Sequence, residues 1–530
     1  MSTLRWAFAA VVVGNLGLTG QAHARVGFGD PAEAFRDHKP GEVLDFKGHL
    51  RVRGAGYQNL DLDHRTSPSG QVLWPRGDTR FNITSGADMR VRLSPSIWLG
   101  NDVRMLLEVD LLDNVTLGSI PKGTPYNGRP GLVAGTAFQE PLTTAQGAFR
   151  IRTAMGQAVT PLGIISAGRS PSHFGLGIAA NSGDDLDDDG GDRADRVSWM
   201  MPLLGHFVAA AADLSATGPR GNTNVIGPNP VSPANTQQAL SFAFLRWRAP
   251  WEVDAHRKED WLHGWVLDYG AAFSVQFQLM DSPVFYQALA GTMAANERVR
   301  RNHIAAVADG WVRLWWKEFR FEAELVGSYF YTGNGSPYPG IELRKPIQGL
   351  PVGGVAVAEG LPLRGKYGLL GELGFASPDA APGFPQNEGT ALTASRPGDM
   401  FGPQVDGVHD TRMDAFRFHP MYRVDLILWR TLLGGVSEAA YARGKVAFNP
   451  LQGVRAEVGA IYSQGLHPRS TPGGVAPLGF EVDSALSLAM GNFSARVDAG
   501  MLLPFGGLGE RGAHAPRLAH MVLVRLGYAR

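Results

Sequence analysis

Apolar and polar residues alternate along most of this chain with a period of two. Over residues 265–279 the odd-numbered positions carry mainly aromatic and aliphatic side chains, such as Trp265 and Phe273, whereas the even-numbered positions include Asp268, Gln276 and Gln278. A helix would mix these two sets around its circumference, whereas a β-strand places them on opposite faces. The pattern therefore predicts a strand with one apolar face and one polar face.

The same separation recurs from one end of the chain to the other. Met89, Val109, Phe321 and Val497 are examples of apolar positions with a charged residue on each side. Many of these stretches exceed the roughly 5–6 residues usual for strands of soluble proteins and match the about 9–11 residues that cross a bilayer at a tilt. Such strands fit a barrel with lipid outside and water inside, although alternation alone does not distinguish the inside from the outside.

The connections between the predicted strands alternate between short and long. Short turns are predicted at 94–96, 160–162, 317–318 and 491–492, and long loops at 112–147, 216–237, 279–302, 332–350 and 377–419. Short periplasmic turns and long extracellular loops are typical of outer-membrane barrels. The region after Ser377 breaks this parity, so either a strand is miscounted there or one lies inside the loop. We predict an all-β fold: a single large transmembrane antiparallel β-barrel of about 18 strands, within a range of roughly 16 to 20.

The N-terminus is typical of an export signal. Arg5 precedes an apolar stretch of about 13 residues, which is short of the roughly 20 that span a bilayer as a helix. Ala22-His23-Ala24 fits the small-x-small pattern of a cleavage site. We therefore predict a signal peptide at 1–24, a short N-terminal periplasmic segment at 25–43, and an outer-membrane barrel at 44–530.

Composition and motifs exclude several classes of function. Lys+Arg and Asp+Glu are equal at 49 each, and this balance argues against nucleic acid as a partner, which requires an excess of basic residues. The absence of cysteine excludes disulfides, thiol catalysis and thiolate-bound zinc. No hydrolase or nucleotide-binding motif is present in a suitable context. His173 lies near Ser170 and Ser172, a proximity that is common by chance, so we predict that the chain is not an enzyme.

An acidic stretch is the one candidate for a metal site. Asp185, Asp187 and Asp189, followed by Gly190, match the opening of a calcium loop, in which alternate carboxylates converge on the ion. Arg196 stands where the closing glutamate is expected. The stretch is either a site for Ca²⁺, or for a divalent bridge to lipopolysaccharide, or a solvated acidic loop.

The polar faces of the strands differ in charge between the two halves of the chain. The pore-lining candidates of the early strands are Lys47, Arg51, Arg53, Arg90, Arg92 and Arg104, and those of the later strands are Asp268, Glu322, Glu324, Glu457, Glu481 and Asp483. A basic wall facing an acidic wall would create a transverse field that favours polar solutes. Alternatively, opposite charges pair across neighbouring strands.

Three stretches resemble a known family. They are 109–119 (VDLLDNVTLGS), 168–177 (GRSPSHFGLG, followed by Asn181 and 192–197) and, most specific, 416–435 (FRFHPMYRVDLILWRTLLGG). They resemble an uncharacterised family of large outer-membrane β-barrel proteins from myxobacteria and their relatives. The resemblance implies an outer-membrane barrel without an established substrate, and it brings no catalytic residues.

These observations predict a passive porin-like channel for small polar solutes. The alternative is a non-conducting structural or surface-display protein that acts through its long loops. The expected partners are outer-membrane lipid, lipopolysaccharide and the barrel-assembly machinery. That machinery reads a terminal strand, which 518–528 resembles, although Ala529 and Arg530 follow the aromatic Tyr528.

Overall fold

The computed structural model describes residues 43–64, 82–100, 102–117, 149–215, 237–248, 253, 265–281, 299–336, 341–342, 345–360, 366–381, 398–399, 411–510 and 516–529. The described residues form nineteen strands, one turn of π-helix at Leu428–Leu432 and one 3₁₀ turn at Gly506–Leu508. The strands are β1 (Leu44–Gln58), β2 (Ile83–Trp98), β3 (Val103–Thr116), β4 (Arg150–Thr160), β5 (Gly163–Pro171), β6 (Arg193–Leu203), β7 (His206–Ser215), β8 (Gln237–Arg246), β9 (Trp265–Asp281), β10 (Val299–Trp316), β11 (Phe319–Thr332), β12 (Ile347–Gly349), β13 (Val352–Gly360), β14 (Tyr367–Ala376), β15 (Ala439–Leu451), β16 (Val454–Gly465), β17 (Pro477–Met490), β18 (Phe493–Pro504) and β19 (Ala519–Ala529).

The strands close into one antiparallel barrel. β1 pairs with β2 on one side and with β19 on the other, so the sheet has no free edge at this seam. β12 and β13 pair in succession with the two ends of β11 and share one position in the barrel. The nineteen strands therefore fill 18 positions, an even number that allows antiparallel closure. The prediction of an all-β barrel of about 18 strands is confirmed.

The two faces of the barrel wall have the polarity expected of a membrane protein. In β1, the side chains of Arg51 and Arg53 have no exposed surface, whereas Leu50, which precedes Arg51 and points to the opposite face, is 41% exposed. The same contrast holds in β11, where Glu322 and Glu324 are buried and Phe321 and Leu325 are exposed. A soluble barrel would bury its apolar face, so the exposed apolar face must be covered by lipid.

The short connections follow the sequence prediction at most positions. The turns at Pro161–Leu162, Lys317–Glu318 and Gly491–Asn492 lie where they were expected. The turn predicted at 94–96 is wrong, because β2 continues through these residues to Trp98, with Pro95 paired to Phe46 of β1. After Ser377, β14 pairs directly with β15, and the described residues between these two strands, 377–381, 398–399 and 411–438, contain no strand of the barrel.

The boundaries at the N-terminus are only partly visible. β1 begins at Leu44, which is the predicted first residue of the barrel. The predicted signal peptide, 1–24, and nearly all of the predicted segment 25–43 lie outside the described residues. Among the residues that the structure describes, no helix is long and apolar enough to span a bilayer.

Candidate functional site in the lumen

A long loop between two adjacent strands crosses the inside of the barrel. Residues 172–192, which we call the first inner loop, join β5 to β6. The carboxylate of Glu324 on β11 nevertheless accepts hydrogen bonds from the backbone N–H groups of Leu176, Gly177 (2.9 Å) and Ile178 (3.3 Å). Because Glu324 points inward and β11 is remote from β5 in the sheet order, the loop must run through the lumen.

A second part of the chain enters the lumen from another connection. Residues 411–438, which we call the second inner segment, precede β15. Here the carboxylate of Glu481 on β17 accepts the backbone N–H groups of Leu426 (3.0 Å), Ile427 (2.7 Å) and Leu428 (2.9 Å). Each inner segment is thus held by one inward-facing glutamate, whose carboxyl oxygens accept hydrogen bonds from three consecutive backbone amides and so satisfy these buried N–H groups.

The second inner segment brings an apolar core into the barrel. Phe418, Ile427, Leu428, Trp429 and Val436 are each at most 1% exposed and belong to one buried cluster. The indole N–H of Trp429 donates to the hydroxyl of Ser463 on β16 at 2.9 Å, so its polar atom is satisfied while its ring is buried. The two inner segments also touch, since the His419 amide donates to the Ile178 carbonyl at 2.8 Å.

The acidic stretch predicted from the sequence forms the tip of the first inner loop. Oδ2 of Asp187 accepts hydrogen bonds from Arg423 (2.9 Å), Arg430 (2.6 Å) and Arg525 of β19 (2.6 Å), and Oδ1 accepts one from Arg53 of β1 (3.2 Å). Burial alone would raise the pKa of Asp187, but the four guanidinium groups outweigh it and hold that pKa well below the usual range.

The next carboxylate of the tip is bound in the same way. Asp189 accepts hydrogen bonds from both terminal nitrogens of Arg53, Nη1 at 2.8 Å and Nη2 at 3.0 Å, and a third from Arg51 at 3.0 Å. Burial opposes ionisation here too, but the neighbouring arginines lower the pKa of Asp189 below its usual value. The arrangement is an ion-pair network between the loop tip and the barrel wall.

This network bears directly on the calcium hypothesis. The carboxylate oxygens of Asp187 and Asp189 that calcium would require face guanidinium groups, which repel a cation. Asp185 occupies the turn before them, where its N–H donates to Asp188. Within the described parts of the chain, no group of three or more metal-ligating side chains meets as a metal site. The contacts therefore disfavour calcium and favour arginine as the partner of this loop.

The basic pore-lining candidates share the inward face of the wall, and all of them except Lys47 are buried. Arg51, Arg53, Arg90, Arg92 and Arg104 are buried, and they bind wall residues or the loop tip: Arg51 and Arg53 bind Asp88 at 3.0 Å, Arg92 binds Asp110 at 2.6 and 3.0 Å, and Arg104 binds Gln157 at 2.6 Å. Arg90 donates to the backbone carbonyl of Leu186 at 2.7 Å. Lys47 is 55% exposed and lies 3.8 Å from Asp45, away from these groups.

The acidic candidates are also buried or half-buried inside the barrel, and most have a basic or backbone partner. Asp268 binds Arg313 at 2.8 Å, Glu322 accepts the Trp311 indole N–H at 2.8 Å, and Glu457 binds Arg455 (2.7 Å), Arg496 (2.9 Å) and Lys445 (3.6 Å). Glu324 and Glu481 hold the inner segments, and Asp483 lines a chamber inside the barrel. Local pairing, not two bare walls of opposite charge, is the dominant arrangement.

The inner segments leave a chamber of about 480 Å³ against one side of the barrel. Its wall comes from β11, β13–β19 and both inner segments, and it combines aliphatic residues with many charged ones. The charged residues are Asp185, Asp187, Asp188, Arg320, Glu372, Arg423, Asp425, Arg430, Arg443, Lys445, Arg455, Glu457, Asp483, Arg496, Asp498 and Arg525. A chamber of this chemistry can hold water and small polar solutes.

The histidine considered for catalysis has a structural role. The ring of His173 is buried, with Nε2 3.2 Å from the Gly175 carbonyl and Nδ1 facing the Ser182 amide at 3.3 Å. Both ring nitrogens therefore contact the backbone of the first inner loop, and neither serves Ser170 or Ser172 as a base.

Neither the inner segments nor three arginines that bind the loop tip, Arg423 and Arg430 of the second inner segment and Arg525 of β19, were predicted from the sequence. Two signals could have found them. The apolar run 424–433 lies inside a long connection that should otherwise be polar, and two of the three stretches on which the family resemblance rests, 168–177 and 416–435, overlap the inner segments.

Comparison with known proteins gives structural likeness without close kinship. No protein-family model and no curated protein matches the chain. Among solved structures, a BenF-like porin from Pseudomonas fluorescens Pf-5 has 9% identity and a TM-score of 0.45, covering 92% of this chain and 98% of that one. OpdK of Pseudomonas aeruginosa, solved with vanillate, has 9% identity and a TM-score of 0.44, covering 92% of this chain and 98% of that one. The outer-membrane channel DcaP of Acinetobacter baumannii has 12% identity and a TM-score of 0.38, covering 93% of this chain and 99% of that one. Similarity at this level does not identify a family or a solute.

Proposed function

We propose that this barrel is a narrow channel for small polar solutes across the outer membrane. The observation that carries the proposal is the chamber of about 480 Å³ inside a closed barrel, lined by charged side chains from both inner segments and from the wall. An 18-stranded barrel is wide enough for an aqueous path. The inner segments narrow that path and give it a charged lining, which favours polar over apolar solutes.

A second candidate function has an observation of its own in support. The apolar core around Phe418 and Trp429 fills part of the lumen, as would suit a non-conducting structural or surface-display protein. The charged chamber speaks against this alternative, because a barrel that conducts nothing gains no stability from keeping many buried charges next to a cavity.

Conductance in planar lipid bilayers separates the two functions. The folded protein, identified by its faster gel mobility before boiling, should give discrete current steps. Arg496→Gln removes a positive charge that is 31% exposed and lines the chamber, so the reversal potential in a salt gradient should shift towards cation selectivity. Lys47→Gln, which removes a charge remote from the chamber, is the matched control and should not shift it. A folded barrel that never conducts would establish the structural alternative.

Export and assembly form a separate part of the proposal. We propose that cleavage after Ala24 releases a mature chain beginning at Arg25 and that the barrel-assembly machinery inserts it among outer-membrane lipid and lipopolysaccharide. N-terminal sequencing of protein from the outer-membrane fraction should begin at Arg25. Recovery of the protein in the soluble periplasmic fraction would contradict this localisation.

A further inference from the structure

Three arginines from two separate parts of the chain converge on one carboxylate oxygen in the lumen. Arg423 and Arg430 of the second inner segment and Arg525 of β19, which we call the arginine triad, all donate to Oδ2 of Asp187 at 2.6–2.9 Å. Guanidinium groups are the side chains that proteins use to recognise carboxylate and phosphate groups. Several guanidinium groups around a single oxygen are the surroundings expected of a bound oxyanion. In this structure, the side chain of Asp187 occupies that position.

The tip of the first inner loop lies in an excess of positive charge. The arginines that face the tip are Arg51, Arg53, Arg90, Arg423, Arg430 and Arg525. Among the described residues, the carboxylates of the barrel wall that bind these arginines are Asp88 and Asp498. Without the carboxylates of the tip these arginines would outnumber their acidic partners, and a buried excess of charge is unfavourable unless another anion replaces the lost one.

The triad is accessible from the chamber, whereas the arginines behind it are not. The side chains of Arg423, Arg430 and Arg525 are 16%, 13% and 15% exposed and line the chamber, but those of Arg51 and Arg53 are 0% exposed. A solute inside the chamber therefore meets these three guanidinium groups and the Asp187 carboxylate together.

The tip is anchored separately from the rest of the first inner loop. Glu324 binds the stem at Leu176–Ile178, and Gly183 and Gly191, both with positive φ, bring the two ends of the tip into close backbone contact. Residues 184–189 thus form a small closed loop on a fixed base. Asp187 can leave the triad without withdrawal of the whole loop from the lumen.

We propose that the arginine triad binds the oxyanion group, carboxylate or phosphate, of a small solute and that Asp187 is an internal ligand which this solute displaces. The inference rests on the proposed channel function, because the solute reaches the triad through the chamber. The exchange of one anion for another leaves the arginines paired at each stage, so a bound anion does not have to leave an uncompensated site behind it.

Direct binding to the folded full-length protein in detergent tests the proposal, with inorganic phosphate and succinate as probes in isothermal titration. Asp187→Asn removes the internal ligand and keeps its shape, so the dissociation constant of at least one probe should fall by about tenfold or more. The double variant Asp187→Asn with Arg430→Gln should reverse most of that gain. Asp213→Asn is the matched control, because Asp213 binds a single arginine, Arg196, at 2.6 and 2.7 Å, and it should leave both affinities unchanged.

An equal gain in Asp213→Asn, or no gain in Asp187→Asn, would overturn the proposal. If Asp187→Asn does not fold, hydrogen exchange of the wild type decides. Phosphate or succinate should raise exchange in 184–189 saturably and leave 176–178 unchanged, and no response to either probe would reject displacement. Tighter binding of succinate identifies a carboxylate solute, and tighter binding of phosphate a phosphorylated one. Anion binding without conductance would retain the site and reject the channel, whereas conductance without anion binding would do the opposite.

Discussion

The two inner segments are attached to the barrel wall in the same way but fill the lumen with different chemistry. Each is part of a long connection between strands, and each presents three consecutive backbone amides to an inward-facing glutamate. The glutamate is Glu324 for the first inner loop and Glu481 for the second inner segment. Beyond that shared attachment they differ. The first ends in carboxylates bound by arginines, whereas the second ends in a cluster of aromatic and aliphatic side chains.

The difference shows which part of the lumen is fixed and which part is exchangeable. A polar solute cannot replace the buried apolar contacts of the second inner segment, so this segment stays in the lumen when solutes bind. An ion pair can be replaced by another anion of suitable geometry, so the tip of the first inner loop is the replaceable part. We therefore expect variants of the two segments to differ in how much stability they lose and in how that stability depends on pH.

The largest effect is expected for Trp429→Ala. Trp429 is 1% exposed and packs in the apolar cluster of the second inner segment, and deletion of a buried aromatic ring typically costs about 3–5 kcal/mol. The free energy of unfolding in detergent should fall by this amount, and the conductance should rise as the segment loosens. Trp316→Ala, at a position that is 50% exposed on the outer face, is the control. Equal losses in the two variants would show that the segment does not depend on apolar burial.

The second prediction compares the two attachments. Glu481→Ala leaves three buried amides without their acceptor, a loss of about 3 kcal/mol if each bond contributes about 1 kcal/mol. Glu324→Ala should cost less, because the glycine-rich first inner loop can relax and its tip stays bound to arginines. Hydrogen exchange of 426–428 and 176–178 measures both. A larger loss in Glu324→Ala would reverse the assignment of the permanent and the replaceable segment.

The third prediction uses pH to separate the segments. Burial, and then the charge of Asp483, raises the pKa of Asp425 to about 7, and burial raises the pKa of Glu438 to about 8. These groups keep their protons in the fold when the unfolded chain has already lost them near pH 4. The stability that they contribute is therefore complete below about pH 4 and declines as the pH rises towards 7–8.

Asp187 and Asp189 of the first inner loop have the opposite dependence, whereas burial raises the pKa of Asp188 between them. The pKa values of Asp187 and Asp189 lie below the ordinary carboxyl value because of their arginine partners, which outweigh burial. Their contribution is present above about pH 4 and is lost only as the pH falls below it. Between pH 5 and pH 8, exchange corrected for its intrinsic rate should increase by about tenfold in 425–430 and stay constant at the amides of Asp187 and Asp189. A change of the same sign in both would contradict the comparison.

The barrel was predictable from the sequence because alternation is local, since residues two apart share a face whatever the rest of the chain does. The inner segments were not, because their partners are remote. Asp187 binds Arg53, 134 residues away, and Arg525, 338 residues away. The alternate carboxylates that suggested calcium are real, but the chain supplies arginines to them from other parts of the fold. Likewise Glu324 and Glu481 were correctly placed on polar faces, while their backbone partners have no sequence signature.

The smallest effect is expected where a lumen candidate touches neither inner segment. Lys47 is 55% exposed, and Asp45, with which it forms an ion pair at 3.8 Å, is 42% exposed. An exposed pair of this kind contributes little, and Lys47→Gln should change the free energy of unfolding by less than about 0.5 kcal/mol. It should also leave hydrogen exchange of 176–178 and 426–428 at wild-type rates. The sequence pattern that selected Lys47 also selected Arg53, which binds the tip of the first inner loop. Lys47→Gln therefore tests whether a charge in the lumen affects stability only when it contacts an inner segment. If Lys47→Gln destabilised either segment, the charge of the whole lumen, and not contact with the inner segments, would govern how they are held.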